Sequence, residues 1–315
     1  MILKTGLNFY SSKVIIFNLN DLEEVEVKNE IENEKYHIYL ICKRKKIFFD
    51  KSFVKDGIGY TSLYYLNANN DKEYLGFKHS DSILRINSYD DGYYNIDTDK
   101  YKNIIIRDYA LINNFLFIEN DLIGDSVTSP LLSDLEVMYI GQAFGRNESK
   151  KIDYRLANHD KVQKIALDII NSGSNEEVLI IGVKLSTNDL TTIFISDPGN
   201  KKTKLFDIND LHKQVSDRVP EGQEITVFEA SLIKYFQTDL NIEYKNTFPS
   251  PDFKSYEDIY KTSFNYSSFA LDTRPLGVRL FSKKIIDRKY IHAQHFPLSS
   301  NSDKRNLIDY IIEPD

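Results

Sequence analysis

Four groups of side chains in the second half of the chain have the types and spacing to act on an oxyanion. They are Tyr139 in Tyr-Ile-Gly at the end of a strand-like run, Arg155 with His159 four residues on, Glu229 in the phrase FEASLIKYFQTDLN, and Asn241 twelve residues beyond that Glu. Hydrolysis of a phosphodiester needs a water made nucleophilic, an in-line attack, and positive charge where the phosphate gathers negative charge. A lone carboxylate such as Glu229 can hold one Mg²⁺, or Mn²⁺ in its place, because such a cation takes oxygen ligands and keeps several waters. Arg155 is permanently charged and can grip a phosphate through two parallel N–H bonds, a geometry that Lys does not reproduce. His159 can exchange a proton near neutral pH or bond a phosphate oxygen, and Tyr139 can position the attacking water or act as its base.

The order of these features over 136–241, with fainter echoes to Tyr256, resembles the GIY-YIG nuclease family. Tyr139-Ile140-Gly141 matches its second strand motif, and Arg155-Leu-Ala-Asn-His159 its R-x-x-x-H pattern at the start of the following helix. An Arg and a His four apart project from one helix face. Glu229 and Asn241 match the family's Glu, helix, Asn spacing. The resemblance implies a metal-dependent endonuclease, with DNA the more expected substrate than RNA, a site built on Tyr139, Arg155, His159 and Glu229, and Glu229 as the metal ligand. Restriction of foreign DNA or phage defence is the setting it suggests. The family also carries Gly-Ile-Tyr on a first strand roughly ten residues before the second. Here that stretch reads SVTSPLLSDLEVM, and the more distant alternative, FLFIEND at 115–121, likewise has no tyrosine. This departure supports an alternative in which the nuclease-like module binds nucleic acid or a protein partner without turnover.

The net charge of −7 argues against a protein that coats nucleic acid over its whole surface, since phosphate binding rests on clustered Lys and Arg. Between Gln142 and Lys164, however, Arg146, Lys150, Lys151, Arg155, Lys161 and Lys164 outnumber Glu148, Asp153 and Asp160. Lys150, Lys151 and Lys161 are therefore candidate nucleic-acid contacts, against the plain reading of a solvated helix face. In YKNTFPSPDFKSY (244–256), Lys245 and Lys254 interleave with aromatics and could follow a nucleic-acid backbone; a loop crossing between domains is the equal alternative. Asn241 joins this group, where its amide would bond backbone or a neighbouring ligand and hold the Glu helix in place. Glu243-Tyr244-Lys245 has the E-x-K form of another nuclease fold, a three-residue signal only. His292 and His295 fall on opposite faces of a strand and would not share a metal. No phosphate loop, nucleophile elbow, C-x-x-C pair or H-E-x-x-H helix appears, so ATPase, serine-hydrolase and zinc readings have no basis.

The elements that must carry these residues follow from periodicity. From Met1 to about Asp125, runs such as KVIIFNL, KYHIYLICK, KIFFD and YTSLYYL read as strands separated by turns at KDGIG, NANND and YDDGYY. LIGDSVTSPLLSD (122–134) is the candidate boundary. After it come a strand at 136–141, a helix at 154–171, a hairpin of VLIIGVKL (178–185) with TTIFISD (191–197), and helices at 207–217 and 225–237. VRLFS and KYIHAQHF then read as strands. The fold class expected is α+β: a mostly antiparallel β domain over 1–125 for recognition or docking, a nuclease-like α/β domain over 126–250, and a β-rich segment over 251–315. At 315 residues, with 41% hydrophobic residues and no apolar run long enough to span a bilayer, the chain is expected to be soluble and to bury a core in each domain. A single cysteine, Cys42, forms no internal disulfide, and no secretory pattern opens the chain. A cytoplasmic protein is expected, with a protein partner or homo-oligomer through the first domain as a further possibility.

Overall fold

A computed structural model describes residues 2–3, 6–18, 22, 25–55, 58–80, 134–143, 160–171, 175–188, 193–194, 220–250, 254–261, 264 and 266–298. In chain order its elements are β1 (Ile2–Leu3), β2 (Gly6–Phe17), α1 (Val25–Asn33), β3 (Ile38–Lys45), β4 (Ile47–Lys55), β5 (Ile58–Leu66) and β6 (Lys72–Ser80). They continue with β7 (Asp134–Gln142), α2 (Asp160–Asn171), β8 (Glu176–Asn188), β9 (Ile193–Phe194), α3 (Glu221–Phe236), a 3₁₀ turn Lys254–Tyr256 leading into α4 (Glu257–Lys261), and β10 (Tyr266–Asp272). A second 3₁₀ turn, Arg274–Leu276, precedes β11 (Arg279–Phe281) and β12 (Ile291–Pro297). Helices and strands are both present, as an α+β class requires. The expected helix at 207–217, the alternative first strand at 115–121, and residues 122–133 of the expected boundary lie outside the described residues.

Seven strands form one mixed sheet in the order β11-β7-β3-β8-β2-β10-β12. β3 lies antiparallel between β7 and β8, while β2–β10 and β7–β11 are parallel. The sheet takes strands from all three of the stretches 1–125, 126–250 and 251–315, which share one core. β4, β5 and β6 make a separate antiparallel meander. The expected hairpin of 178–185 with 191–197 is not formed. Both edges of β8 are already hydrogen-bonded, to β2 and to β3, and Ile193–Phe194 pairs with β1.

Why the central strands read as continuous apolar runs is plain from their burial, because both faces of the sheet are covered. Along β3, Ile38, Tyr39, Leu40, Ile41 and Cys42 are all buried. Side chains alternate across a strand. Ile38, Leu40 and Cys42 join a cluster with Ile140, Ile181 and the α3 residues Val227, Phe228 and Leu232. Tyr39 and Ile41 join a second cluster with Tyr139, Ile180, Ile31 of α1, and Val162 and Ile165 of α2. α3 thus covers one face, and α1 with α2 the other. Burying each large apolar side chain stabilises the fold by roughly 1.5–3 kcal/mol. The thiol of Cys42 sits in the α3-side core, and burial pushes its pKa up, so it is an inert packing group.

α3 is the helix expected at 225–237, begun four residues earlier. Pro220 precedes it, and Glu221 and Glu224 in its first turn complement the positive end of the helix dipole. Gln237 ends it in the left-handed conformation, its N–H returning to the Ile233 carbonyl. α1 was not expected in a half that reads as β, since VEVKNEIEN shows no sustained apolar period; among its described side chains only Ile31 is buried. It is pinned by the Tyr36 hydroxyl donating to Glu30 at 2.7 Å.

Candidate active site around the Tyr-Ile-Gly strand

β7 is the strand on which the site residues meet, and β3 is its partner. The register sets Tyr39 against Gly141 and Ile41 against Tyr139. The two phenol rings therefore lie on the same face, with centroids 6.1 Å apart at an interplanar angle of 39°. Gly141 is needed for that arrangement. A Cβ at this position would stand 2.6 Å from the Tyr39 hydroxyl, 2.7 Å from its Cζ and 2.9 Å from Cε1 of Tyr139, distances that real Cβ atoms do not show. Beyond Gly141 the ladder continues, the Ala143 N–H donating to the His37 carbonyl at 2.7 Å. His37 is itself buried. Its Nδ1 accepts the Leu185 N–H at 2.8 Å, and burial, aided by Lys35 and Lys184 against Glu221, pushes the imidazole down to about 4. The neutral ring is an acceptor that extends the sheet by one bond.

The outer edge of β7 is covered by β11 only over Asp134–Glu136. Asp134 is clamped there by Arg279 and Arg288, both at 2.8 Å. Farther along, Asn241 takes the place of a neighbouring strand. Its Oδ1 accepts the Ile140 N–H at 2.9 Å, and its Nδ2 donates to the Ile140 carbonyl at 2.8 Å. The Thr238 hydroxyl also donates to that Oδ1, at 2.6 Å. At the end of the strand Gln142 reaches α3. Its Nε2 donates to Glu229 Oε2 at 2.8 Å and to the Thr226 hydroxyl at 3.1 Å. Thr226 gives its own proton to the Gly222 carbonyl, and a carboxylate only accepts, so the NH₂ side of the Gln142 amide must face α3.

Of the residues singled out from sequence, Tyr139, Glu229 and Asn241 are brought to β7. They do not share one face. Tyr139 is buried on the α1–α2 side, while Glu229 is half-buried on the α3 side. Arg155, His159, Lys150 and Lys151 lie outside the described residues, and Lys161 is described only as a position in α2. Asn241 does not face a polyanion, because it is 6% exposed and both ends of its amide are committed to Ile140. Lys245 is not free to follow a phosphate backbone. Its ammonium donates to the Thr238 carbonyl at 3.1 Å and stands 3.8 Å from Asp239, bracing the loop that carries Asn241. Gln237 braces the same loop by donating to the Lys245 carbonyl at 2.7 Å. Lys254 is exposed. His292 is fully buried against Tyr235, whereas His295 is exposed, so the two do face apart.

Around Glu229 the cation ligands at hand are oxygens, from its own carboxylate and the Thr226 hydroxyl, while Gln142 presents its NH₂. That set fits a hard cation that keeps waters as its remaining ligands. Among the described residues no three His, Cys, Asp or Glu side chains converge on one point, so a cation here would rest on one carboxylate. The residue that sequence reasoning missed is Tyr39, at the start of the strand paired with β7. Its signal is His37-Ile38-Tyr39 in an apolar run, set 100 residues before Tyr139 (139 − 39), far beyond the roughly ten that the family pattern calls for. No family model, curated protein or solved structure matches the chain. No helix among the described residues is long and apolar enough to cross a membrane.

Proposed function

We propose that the chain is a metal-dependent nuclease whose site is organised on β7. The observation that carries this reading is the tyrosine pair. Tyr39, in His37-Ile38-Tyr39, stands on the strand antiparallel to Tyr139-Ile140-Gly141, where the resemblance to GIY-YIG nucleases calls for a first-strand tyrosine. The 88-residue separation that hides it in sequence (from 46 to 133) includes the β4–β6 meander, an insertion between the two motif strands. Asn241 supports the reading too, since it ties the end of the Glu229 helix to the middle of the motif strand.

In this scheme Glu229 holds Mg²⁺ or Mn²⁺, which when bound supplies positive charge against the phosphate. Gln142 keeps the carboxylate oriented by donating to one oxygen. Both phenols lie across the sheet from Glu229, so in this scheme they set the packing of the motif strands, and Arg155 steadies the phosphate. DNA is the proposed substrate, in a restriction or defence setting. A second reading is binding without turnover. It is favoured by the burial of both rings, 0% exposed for Tyr39 and 7% for Tyr139, and by the sheet standing between Tyr139 and Glu229.

Purified protein mixed with plasmid DNA and with RNA, in Mg²⁺ or in EDTA, separates the two. Mg²⁺-dependent cutting that both Glu229→Ala and Arg155→Ala abolish supports the nuclease. Retention of nucleic acid without cutting supports the second reading.

A further inference from the structure

The two edges of the seven-stranded sheet are built differently. β11 is three residues long, and its Leu280 is bridged to Lys289, the two exchanging N–H to carbonyl bonds at 2.9 and 3.3 Å. Short and folded upon, it offers little to a further strand. β12 is seven residues long, and among the described residues no strand lies beyond it. It carries no Asp, Glu, Lys or Arg of the kind that guards an exposed edge, and its one proline, Pro297, stands at its end. Ile291 is 42% exposed, and Ala293, Gln294, His295 and Pro297 are exposed as well.

Which backbone groups of β12 are open follows from its ladder with β10. The Thr273 N–H donates to the Tyr290 carbonyl at 2.8 Å, in the same register that sets Asp272 against Ile291. Hydrogen-bonded and non-hydrogen-bonded pairs alternate along an antiparallel ladder. His292, Gln294 and Phe296 therefore bond β10, while Ile291, Ala293 and His295 turn their N–H and C=O groups to the outer edge. Gln294 marks that edge directly. Its Nε2 donates to the outward His295 carbonyl at 3.3 Å, so a side chain stands where a neighbouring strand would. The strand is also symmetric about Gln294. Its exposed and buried positions from Ile291 to Pro297 read the same in both directions, with buried His292 and Phe296 equally spaced on either side.

We propose that β12 pairs antiparallel with β12 of a second copy of this chain, about a two-fold axis between the two Gln294 residues. In that register Ala293 faces the partner's His295 and Ile291 faces the partner's Pro297 on the exposed side, while His292 meets the partner's Phe296 on the α3 side. The outward groups are the ones that meet. Ala293 and His295 exchange bonds twice over, and each Ile291 N–H reaches a Pro297 carbonyl, about six bonds in all. Pro297, without an N–H, ends the ladder. A shift of one residue would set outward groups against inward ones, and a shift of two would set a buried residue against an exposed one. Charge selects a second copy as the occupant. Two chains of net charge −7 repel, so self-association favours a strip without charge, and β12 is such a strip. A charged peptide would find no counter-charge along it. A contact of this kind closes at two chains.

The test is sedimentation equilibrium of the full chain over a range of concentrations, which is expected to show a reversible rise from the 36.7 kDa monomer to a dimer. Ala293→Pro removes an N–H that bonds the partner and none that bonds β10, and an edge strand tolerates proline at such a position. It is expected to raise the dimer dissociation constant by about tenfold or more. Gln294→Cys reports the register, because the two Gln294 positions form a non-hydrogen-bonded pair with Cα atoms about 4.5 Å apart, within the span of a disulfide. Mild oxidation is expected to link that variant into covalent dimers. Lys284→Cys, exposed but away from the edge, is expected not to link, and Cys42 is buried and does not interfere. Far-UV circular dichroism verifies that each variant is folded, and if Ala293→Pro does not fold the two cysteine variants decide. A chain that stays monomeric at every concentration, leaving the edge to an extended segment of another protein, would overturn the proposal. So would a dimer indifferent to Ala293→Pro, or a Gln294→Cys variant that links no faster than Lys284→Cys. Failure to cut DNA would not, since only the β7 site is at stake there.

Discussion

Replacing Gly141 with Ala is the sharpest test of the packing that brings the two tyrosines together. The added methyl would meet the Tyr39 hydroxyl at 2.6 Å, its Cζ at 2.7 Å and Tyr139 Cε1 at 2.9 Å. All three contacts are inside van der Waals range, and neither ring can retreat easily. Tyr39 is 0% exposed, wedged among Ile41, Ile180 and the helices α1 and α2. Forcing an extra carbon into such a core costs about 1–3 kcal/mol. Ala is favoured over Gly within a strand by roughly 0.5–1 kcal/mol, which offsets part of that. A net loss of about 1–2 kcal/mol is the expected outcome. Gly222→Ala supplies the contrast, because nothing lies within 4 Å of the new Cβ in the first turn of α3; it is expected to stabilise by about 0.5–1 kcal/mol. The chain has no Trp, so urea unfolding is followed by far-UV circular dichroism. Tyr39→Phe removes one of the three clashing atoms and is expected to recover part of the Gly141→Ala loss, a coupling of about 0.5 kcal/mol or more. If Gly141→Ala unfolds at the wild-type urea midpoint, the close approach of Tyr39 to the β7 backbone is wrong, and the account of the tyrosine pair falls with it.

Three further outcomes follow from named contacts. Asn241→Leu strands the N–H and C=O of Ile140 at a buried edge, with an expected loss of roughly 2–3 kcal/mol and faster hydrogen exchange at the Ile140 amide. His37 and His292 are both held down to about 4 by burial, below the ordinary 6.5. Their stability is fully present above pH 6.5 and is lost as pH falls towards 4, because the unfolded chain takes up protons that the folded chain refuses. Urea titrations across that window are expected to show a slope approaching about 2.7 kcal/mol per pH unit from the pair, halved in His37→Gln; an unchanged slope in that variant would contradict the assignment. Arg44 and Glu177 face each other across β3 and β8 at 2.5 Å, 6% and 9% exposed. Arg44→Met alone is expected to cost about 3 kcal/mol, and Arg44→Met with Glu177→Leu to recover most of it, as thermal unfolding would report.

Much of the local structure was legible because burial leaves a periodic mark. The apolar runs of β2, β3, β7 and β8 and the amphipathic α2 and α3 are each visible as patterns of residue type. Pairing was not legible. VLIIGV looks like one arm of a hairpin, and only the observed register shows that β2 and β3 had already taken both of its edges. The same non-local pairing hid Tyr39, which is next to Gly141 in space and far from it in sequence. Asn241 stands out by its spacing from Glu229, and its amide does bond backbone as expected, but that this backbone is the open edge of β7 has no signature beyond the residue itself. Lys245 misled in the opposite way. A lysine among aromatics suggests a phosphate contact, and the loop uses it instead to hold its own carbonyl.

The claim at the centre of this account is that the strand pair β3 and β7, with Glu229 beside it, acts on phosphodiester bonds. Single-turnover cleavage of labelled DNA in Mg²⁺ tests it most directly, with wild type and Glu229→Gln compared at matched folded fractions. The expected result is cutting by wild type and a loss of about 100-fold or more in Glu229→Gln. Wild-type protein that leaves the DNA intact, or a Glu229→Gln variant that cuts it as fast, would contradict the account.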